Sequence, residues 1–147
     1  MHRIGTLLAV ITTAMLLVPT NADAAPSAAH GEELYQSCQD CHSLDANDVG
    51  PKHRGVFGTK AGSVPDYNYS PALKNSGITW NEDTLDEWLT DPQKLIPGSK
   101  MFFHLDGAQD RADVIKYLKV IGLRTTLVTA NRRLEQLIEL VGHLIDA

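Results

Sequence analysis

An all-α fold is predicted by three observations: apolar residues recur at helical spacing in several separate stretches, turn-forming residues crowd one long stretch between them, and no stretch reads convincingly as a strand. Gly31, Leu34, Tyr35 and Cys38 fall at i, i+3, i+4 and i+7, one face of a first helix that runs into a cysteine pair. From Asp45 to Pro71 the chain is rich in Gly, Pro, Asn, Asp and Ser without a sustained period, which predicts loops and turns. Asn81-Glu82-Asp83 is a good helix opening, because Asn caps and acids suit the positive end of the helix dipole; Leu85, Trp88 and Leu89 follow, and Pro92 closes the element. A third helix carries Val114, Tyr117, Leu118 and Ile121 and is predicted to end at Gly122 in a left-handed cap. Beyond it Leu134, Leu137, Ile138, Val141, Leu144 and Ile145 form an apolar stripe, with Arg132, Arg133, Glu135, Gln136 and Glu139 largely on other faces: an amphipathic fourth helix. Packing on its own domain, self-association, a partner and a membrane surface all remain open for that helix.

The N-terminus has the pattern of an export leader: Arg3, a mostly apolar run from Ile4 to Val18, and the small-x-small site Ala22-Asp23-Ala24, with cleavage expected after Ala24. The apolar run is interrupted by Gly5, Thr6, Thr12 and Thr13 and is shorter than the roughly 20 residues a membrane-spanning helix requires. The mature chain is therefore not expected to be transmembrane. Loss of residues 1–24 from 147 leaves 123, one small domain with a tight allowance for an apolar core, a shortage that a large buried cofactor would relieve. The leader removes Arg3 and Asp23 together, so the net charge stays at −5, which argues against nucleic acid as a partner.

Chemistry concentrates at Cys38-Gln39-Asp40-Cys41-His42, the C-x-x-C-H pattern of haem attachment. Thiols three positions apart can bond the two vinyl groups on one haem edge, and the following imidazole then lies under the ring, within reach of iron. The rival uses of a cysteine pair lack support. A thioredoxin-like pair wants a strand-helix-strand setting, a closed zinc site wants four ligands in a chain with no third cysteine, and a disulfide gives His42 no role. The best source of a second iron ligand is the loop Ile96-Pro97-Gly98-Ser99-Lys100-Met101, whose Met101 is the only methionine of the mature chain. His53 and His104 compete for that role, and either would lower the reduction potential relative to a thioether ligand.

With these residues in view, the chain resembles the class I cytochromes c, the family of mitochondrial cytochrome c and its soluble bacterial relatives. The resemblance runs from about Gly31 to Gly122 and rests on the haem motif, Gly50-Pro51 with Gly55-Val56-Phe57-Gly58, Tyr67-Asn68-Tyr69-Ser70, Lys74-Asn75-Ser76-Gly77-Ile78-Thr79-Trp80, Thr84-Leu85, Pro97-Gly98-Ser99-Lys100-Met101, and Arg111 to Lys119, all in the family's order. It implies an all-α fold around one covalently attached haem c, with the first and third helices crossing near Gly31 and Tyr117 and with His42 and Met101 on opposite haem faces. It further implies that Tyr69 and Trp80 hydrogen-bond a haem propionate and that the Pro51 carbonyl accepts the His42 N–H. The chain departs from the family at Thr59, where many relatives have arginine, at Trp88 in place of a common tyrosine, at His53 in a usually apolar position, and in its tail after Gly122.

The domain organisation expected is a signal peptide over 1–24, a cytochrome c domain over 25–123 and a C-terminal amphipathic extension over 124–147. With both axial positions filled by protein, the expected function is that of a soluble carrier shuttling one electron in the periplasm, not of an enzyme. Its redox partners would be a membrane oxidase, a reductase complex or a periplasmic dehydrogenase, met at an edge where Lys52, Lys74 and Lys100 can steer an acidic surface. Competing readings are a haem peroxidase or small-ligand sensor with a labile Met101, and a haem subunit of a larger oxidoreductase recruited through the tail.

Overall fold

A computed structural model describes residues 24–145; the leader expected over 1–24 therefore lies almost wholly outside the described residues. The elements are α1 (Ala28–Leu34), continued by a tight 3-10 turn over Tyr35–Cys38, then α2 (Pro71–Lys74), α3 (Glu82–Thr90), α4 (Pro92–Leu95) and α5 (Ala108–Ile145). The fold is all-α, and among the described residues the one extended pairing is an isolated bridge between Lys60 and Thr79.

Local chemistry starts and stops each helix. The Ser27 hydroxyl caps α1 by accepting from the His30 N–H, and Ser70 does the same for Leu73 N–H in α2, where Pro71 takes the first position. Asn81 and Thr84 form a reciprocal capping box at α3, each side chain accepting from the other's backbone N–H at 2.9 Å. Asp91 then ends α3 in an extended conformation while its carboxylate accepts from the N–H groups of Gln93 and Lys94, so a single residue closes one helix and caps the next.

The core lies where α1 and α3 pack on the first half of α5. Val114, Ile115, Tyr117, Leu118 and Ile121 of α5 are buried with Tyr35, Leu85, Trp88 and Leu89. Tyr35 and Tyr117 meet with ring centroids 5.2 Å apart, and Gly31 lets α1 come down on the α5 backbone beside Asp113. Arg111 holds α5 to α3 through Asp86 at 2.7 Å and donates to the carbonyls of Leu105 and Asp106. The long loop region predicted over 45–71 is stapled to the chain before α3 by Gly58 N–H to Trp80 C=O, Trp80 N–H to Thr59 C=O and Ala61 N–H to Ile78 C=O.

The helix stop predicted at Gly122 is not there: α5 continues unbroken through the expected third and fourth helices. Gly122 has no positive φ, and a glycine inside a helix costs only about 1 kcal/mol relative to alanine. It lies beside the Gly55 backbone, where an added Cβ would make ordinary van der Waals contact with the Gly55 Cα at 3.4 Å. Packing of the tail on its own domain is also excluded, because every residue with a described side chain from Leu123 to Leu144 is exposed.

The contact between α1 and α5 is pH-sensitive. Asp113, 3% exposed, accepts from Ser27 N–H at 2.7 Å, Gln109 at 3.0 Å and His30 Nδ1 at 2.7 Å. Burial alone would push this carboxyl up, but the hydrogen bonds from His30, Ser27 and Gln109 outweigh it and hold it below the usual carboxylate range. The hydrogen bond to Asp113 in turn raises His30 above 6.5, against slight desolvation. A raised histidine contributes stability that is complete below its unfolded value and lost as pH climbs through the folded one; a depressed carboxyl loses its contribution as pH falls through its folded value. The His30 contribution to the urea midpoint is therefore expected to fall as pH rises from 6.5 through the raised His30 value, a decline that His30→Gln should flatten; below 6.5 the depressed His53 acts in the opposite direction in both proteins. An equal slope in the variant would rule the pair out as its source.

Candidate functional site

The chain from Cys38 to His42 is wound into a tight turn, with the N–H groups of Cys41 and His42 both donating to the Cys38 carbonyl. The two cysteines are not bonded to each other; Cys38 is half-buried with its thiol pushed up, first by burial, and Cys41 is exposed. The following loop folds back on this turn through Gly50 N–H to Cys41 C=O, His53 N–H to Ser43 C=O and Arg54 N–H to Leu44 C=O. As a result the Gly50 backbone lies flat against the His42 imidazole, where a Cβ would come within 2.2 Å of Cε1 and 2.7 Å of Nε2.

His42 is oriented by one strong contact, Nδ1–H donating to the Pro51 carbonyl at 2.7 Å. That bond places the proton on Nδ1 and leaves the Nε2 lone pair for a metal. Burial pushes the imidazole pKa down against the opposing effect of the Pro51 carbonyl, so the ring is neutral at physiological pH, as a ligand must be.

Met101 closes the loop after α4, half-buried against the same core that holds Trp80, Trp88 and Ile96 and that Cys38 also borders. The loop is clasped by Gln93 of α4, whose side-chain amide donates to the Met101 carbonyl at 2.8 Å and to the Ser99 hydroxyl and carbonyl at 2.8 and 3.0 Å, while its oxygen accepts from Gly98 N–H.

Two unbonded thiols at this spacing, a neutral imidazole with Nε2 uncommitted and a single thioether are a donor set suited to covalent haem and its iron. A bare divalent ion wants a cluster of hard or thiolate ligands, and no group of three or more His, Cys, Asp or Glu able to hold one occurs among the described residues.

The family model described as cytochrome c matches residues 28–121. The chain belongs to the cytochrome c family. It is 46% identical over 109 residues to cytochrome c2 of Rhodomicrobium vannielii, covering 71% of this chain and 87% of the relative. It is 47% identical over 94 residues to cytochrome c of Gibberella zeae, covering 60% and 89% respectively. Among solved structures it is similar to cytochrome cH from Methylobacterium extorquens, with a TM-score of 0.62 and 44% identity over 64% of this chain and 98% of that one. This cytochrome c accordingly carries one covalent haem c, and it is an electron-transfer protein rather than an enzyme.

Within the cytochrome, the remaining sequence candidates separate clearly. Pro51 contributes the carbonyl to His42, and Trp80 is buried with its ring 5.3 Å from that of Trp88. Tyr69 is half-buried edge-on to Tyr67 at 4.7 Å, and Tyr67 donates its hydroxyl proton to the Val49 carbonyl at 2.6 Å. His53 stacks face to face on His42, with centroids 3.9 Å apart and planes 23° from parallel, and its Nδ1 lies 3.1 Å from the Tyr35 hydroxyl. Parallel imidazoles this close cannot grip one metal from opposite sides. Burial and then the neighbouring His42 push His53 down to about 3, so it is a neutral ring buttressing the His42 imidazole. His104 is largely exposed and faces Asp106 at 3.6 Å. Gln93 and Gly50 were not singled out by sequence reasoning. A glutamine directly after a helix-starting proline, eight residues before the methionine, was the available signal for the first.

Proposed function

We propose that this cytochrome c shuttles single electrons between redox proteins in the periplasm, with Cys38 and Cys41 in thioether bonds to the haem and His42 and Met101 as its axial ligands. The observation that carries the assignment is the His42 Nδ1–H to Pro51 contact, which commits one ring nitrogen to the backbone and aims the other at a metal. The bound haem supplies the ferric–ferrous couple. The chain's own residues supply the rest. Pro51 and His53 hold the imidazole in one tautomer and one plane, and Gln93 ties the Met101 loop to α4 so that its thioether is presented without thermal search. The apolar wall of Trp80, Trp88 and Ile96 excludes water, which together with a thioether ligand favours the reduced state and a high potential.

A cleaved leader after Ala24 fits this reading, because covalent attachment at Cys38 and Cys41 belongs to an exported chain. Lys52, Lys74 and Lys100 are the cations proposed to steer a partner; Lys100 is already posed by donation from Nζ to the Asn68 carbonyl at 2.7 Å.

The test is optical. The mature chain, matured with haem, is expected to show the weak long-wavelength ferric band of iron bonded to methionine sulfur and to keep its spectrum unchanged under carbon monoxide or peroxide. Met101→Ala should remove the band and admit both ligands. Ready ligand binding by the unsubstituted protein would overturn the carrier reading in favour of a peroxidase or sensor with an open iron site.

A further inference from the structure

We propose that the second half of α5, from Leu123 to Leu144, is a self-association seam through which a second copy of this chain docks helix against helix.

The face of α5 that packs on its own domain carries Val114, Tyr117, Leu118 and Ile121, all buried. At about 100° per residue that face continues to Thr125, Arg132, Glu135 and Glu139, so it turns polar once the domain ends, with Val128 as the exception. A new apolar stripe begins at Leu123 roughly half a turn round the helix, on the side facing away from the domain. Among the described residues, all exposed large apolar side chains except Val49, Phe102 and Phe103 lie on this stretch. A contiguous exposed apolar surface of this kind marks a contact with another molecule. The family match stops at residue 121, just short of it.

Leu123, Leu127 and Ala130 are followed by Leu134, Leu137, Val141 and Leu144, an unbroken alternation of four and three residues. This is the heptad repeat that wraps two or more helices around one another, sustained here for three heptads and about 32 Å of helix. Ile138 and Leu140 widen the seam at its far end, where Leu137 and Leu140 are 59% and 58% exposed.

A helix made for an anionic bilayer is rich in Lys and Arg on its polar face, whereas here Arg124, Arg132 and Arg133 stand against Glu135 and Glu139, there is no lysine from Leu123 to Leu144, and the whole chain carries −5. No helix of the described residues is long and apolar enough to cross a membrane. A heptad seam is self-complementary, so an identical copy meets the requirement of a two-fold contact without further design. The haem domain lies on the opposite side of α5, and two chains joined seam to seam therefore carry their domains outward without collision.

The test is sedimentation of the full mature holoprotein from low to high micromolar concentration. The unsubstituted chain should sediment at twice the mass of one chain or more, and Leu134→Glu combined with Val141→Glu should reduce it to one. Glu139→Ala, outside the seam, should stay associated. Both positions of the double variant are exposed, so its haem spectrum and midpoint potential should match the parent, which also verifies that it is folded. A parent that remains a single chain throughout would overturn the proposal, whether or not it co-pellets with phosphatidylcholine–phosphatidylglycerol vesicles; association that survives the double substitution would overturn it as well. Spectrum and potential are read on the same samples, so failure of the seam and failure of the electron-carrier reading are separate results.

Discussion

Gly50→Ala should dislodge the His42 imidazole and with it the iron bond proposed for that ring, while leaving the haem attachment proposed at Cys38 and Cys41 in place. The new methyl carbon would stand 2.2 Å from Cε1, 2.4 Å from Nδ1 and 2.7 Å from Nε2 of the imidazole, far inside contact distance for all three. Either the ring swings away and surrenders its 2.7 Å bond to Pro51, or the loop carrying Gly50 lifts off and breaks its N–H bond to the Cys41 carbonyl. His53, stacked 3.9 Å from His42, blocks an easy retreat. Gly50 has no positive φ, so alanine brings no backbone strain and the effect is one of space alone. Overpacking of this kind costs about 1–3 kcal/mol, and an orphaned polar group about as much again. The expected readout is a ferric spectrum shifted to high spin, a lowered yield of holoprotein and a lower urea midpoint. A low-spin spectrum identical to the parent's would show that the imidazole is not held where the structure places it.

Gly31→Ala should be the most destabilising single change remote from the haem. An added Cβ would lie 2.0 Å from the Asp113 carbonyl oxygen and 2.5 Å from its carbon, and 3.0 Å from Tyr117 Cβ. The two nearest are backbone atoms in the second turn of α5, which cannot rotate away as a side chain would. Relief requires α1 to separate from α5, and that separation breaks the hydrogen bonds of Ser27 and His30 to Asp113 and the Tyr35–Tyr117 contact together. A loss of about 3 kcal/mol or more is expected, at the upper end for overpacking, as a fall in the urea midpoint of the ferric holoprotein. Gly142→Ala is the control: it sits in a helix as Gly31 does, but in α5 and with nothing within 4 Å of the new Cβ, so it should be neutral or stabilising by up to about 1 kcal/mol. Similar losses for both would assign the effect to helix chemistry rather than to the close crossing.

Much of the architecture could be read ahead of the structure because it is set by neighbours in the chain. The Asn81 cap, the closure of α3 before Pro92 and the C-x-x-C-H turn each depend on groups within about five residues of one another, and local bonds form them wherever the chain goes. Gly122 departs from that pattern: a residue type that usually stops a helix lies inside α5 without a positive φ, at a cost of only about 1 kcal/mol relative to alanine. His53 shows a subtler limit. Its departure from an apolar residue was visible, but the choice between ligand and buttress depended on where the loop from Gly50 to Arg54 folds relative to His42.

By itself, then, the sequence determined the start of α3 at Asn81, the C-x-x-C-H pattern from which haem attachment at Cys38, Cys41 and His42 is proposed, the candidacy of Met101 and the existence of an apolar stripe in the tail, since each is written in residue types at fixed short spacing. Only the tertiary structure decided which nitrogen of His42 is committed to Pro51, that Gly50 and Gly31 must lack a side chain, that Gln93 clasps the Met101 loop, and that the tail's apolar stripe faces away from the domain. Those properties arise where loops fold back on residues beyond the reach of a single turn, as at His42 with Pro51, or where distant segments meet, as at Gly31 with Asp113, and the free volume, proton position and exposed face that result are properties of the packed whole.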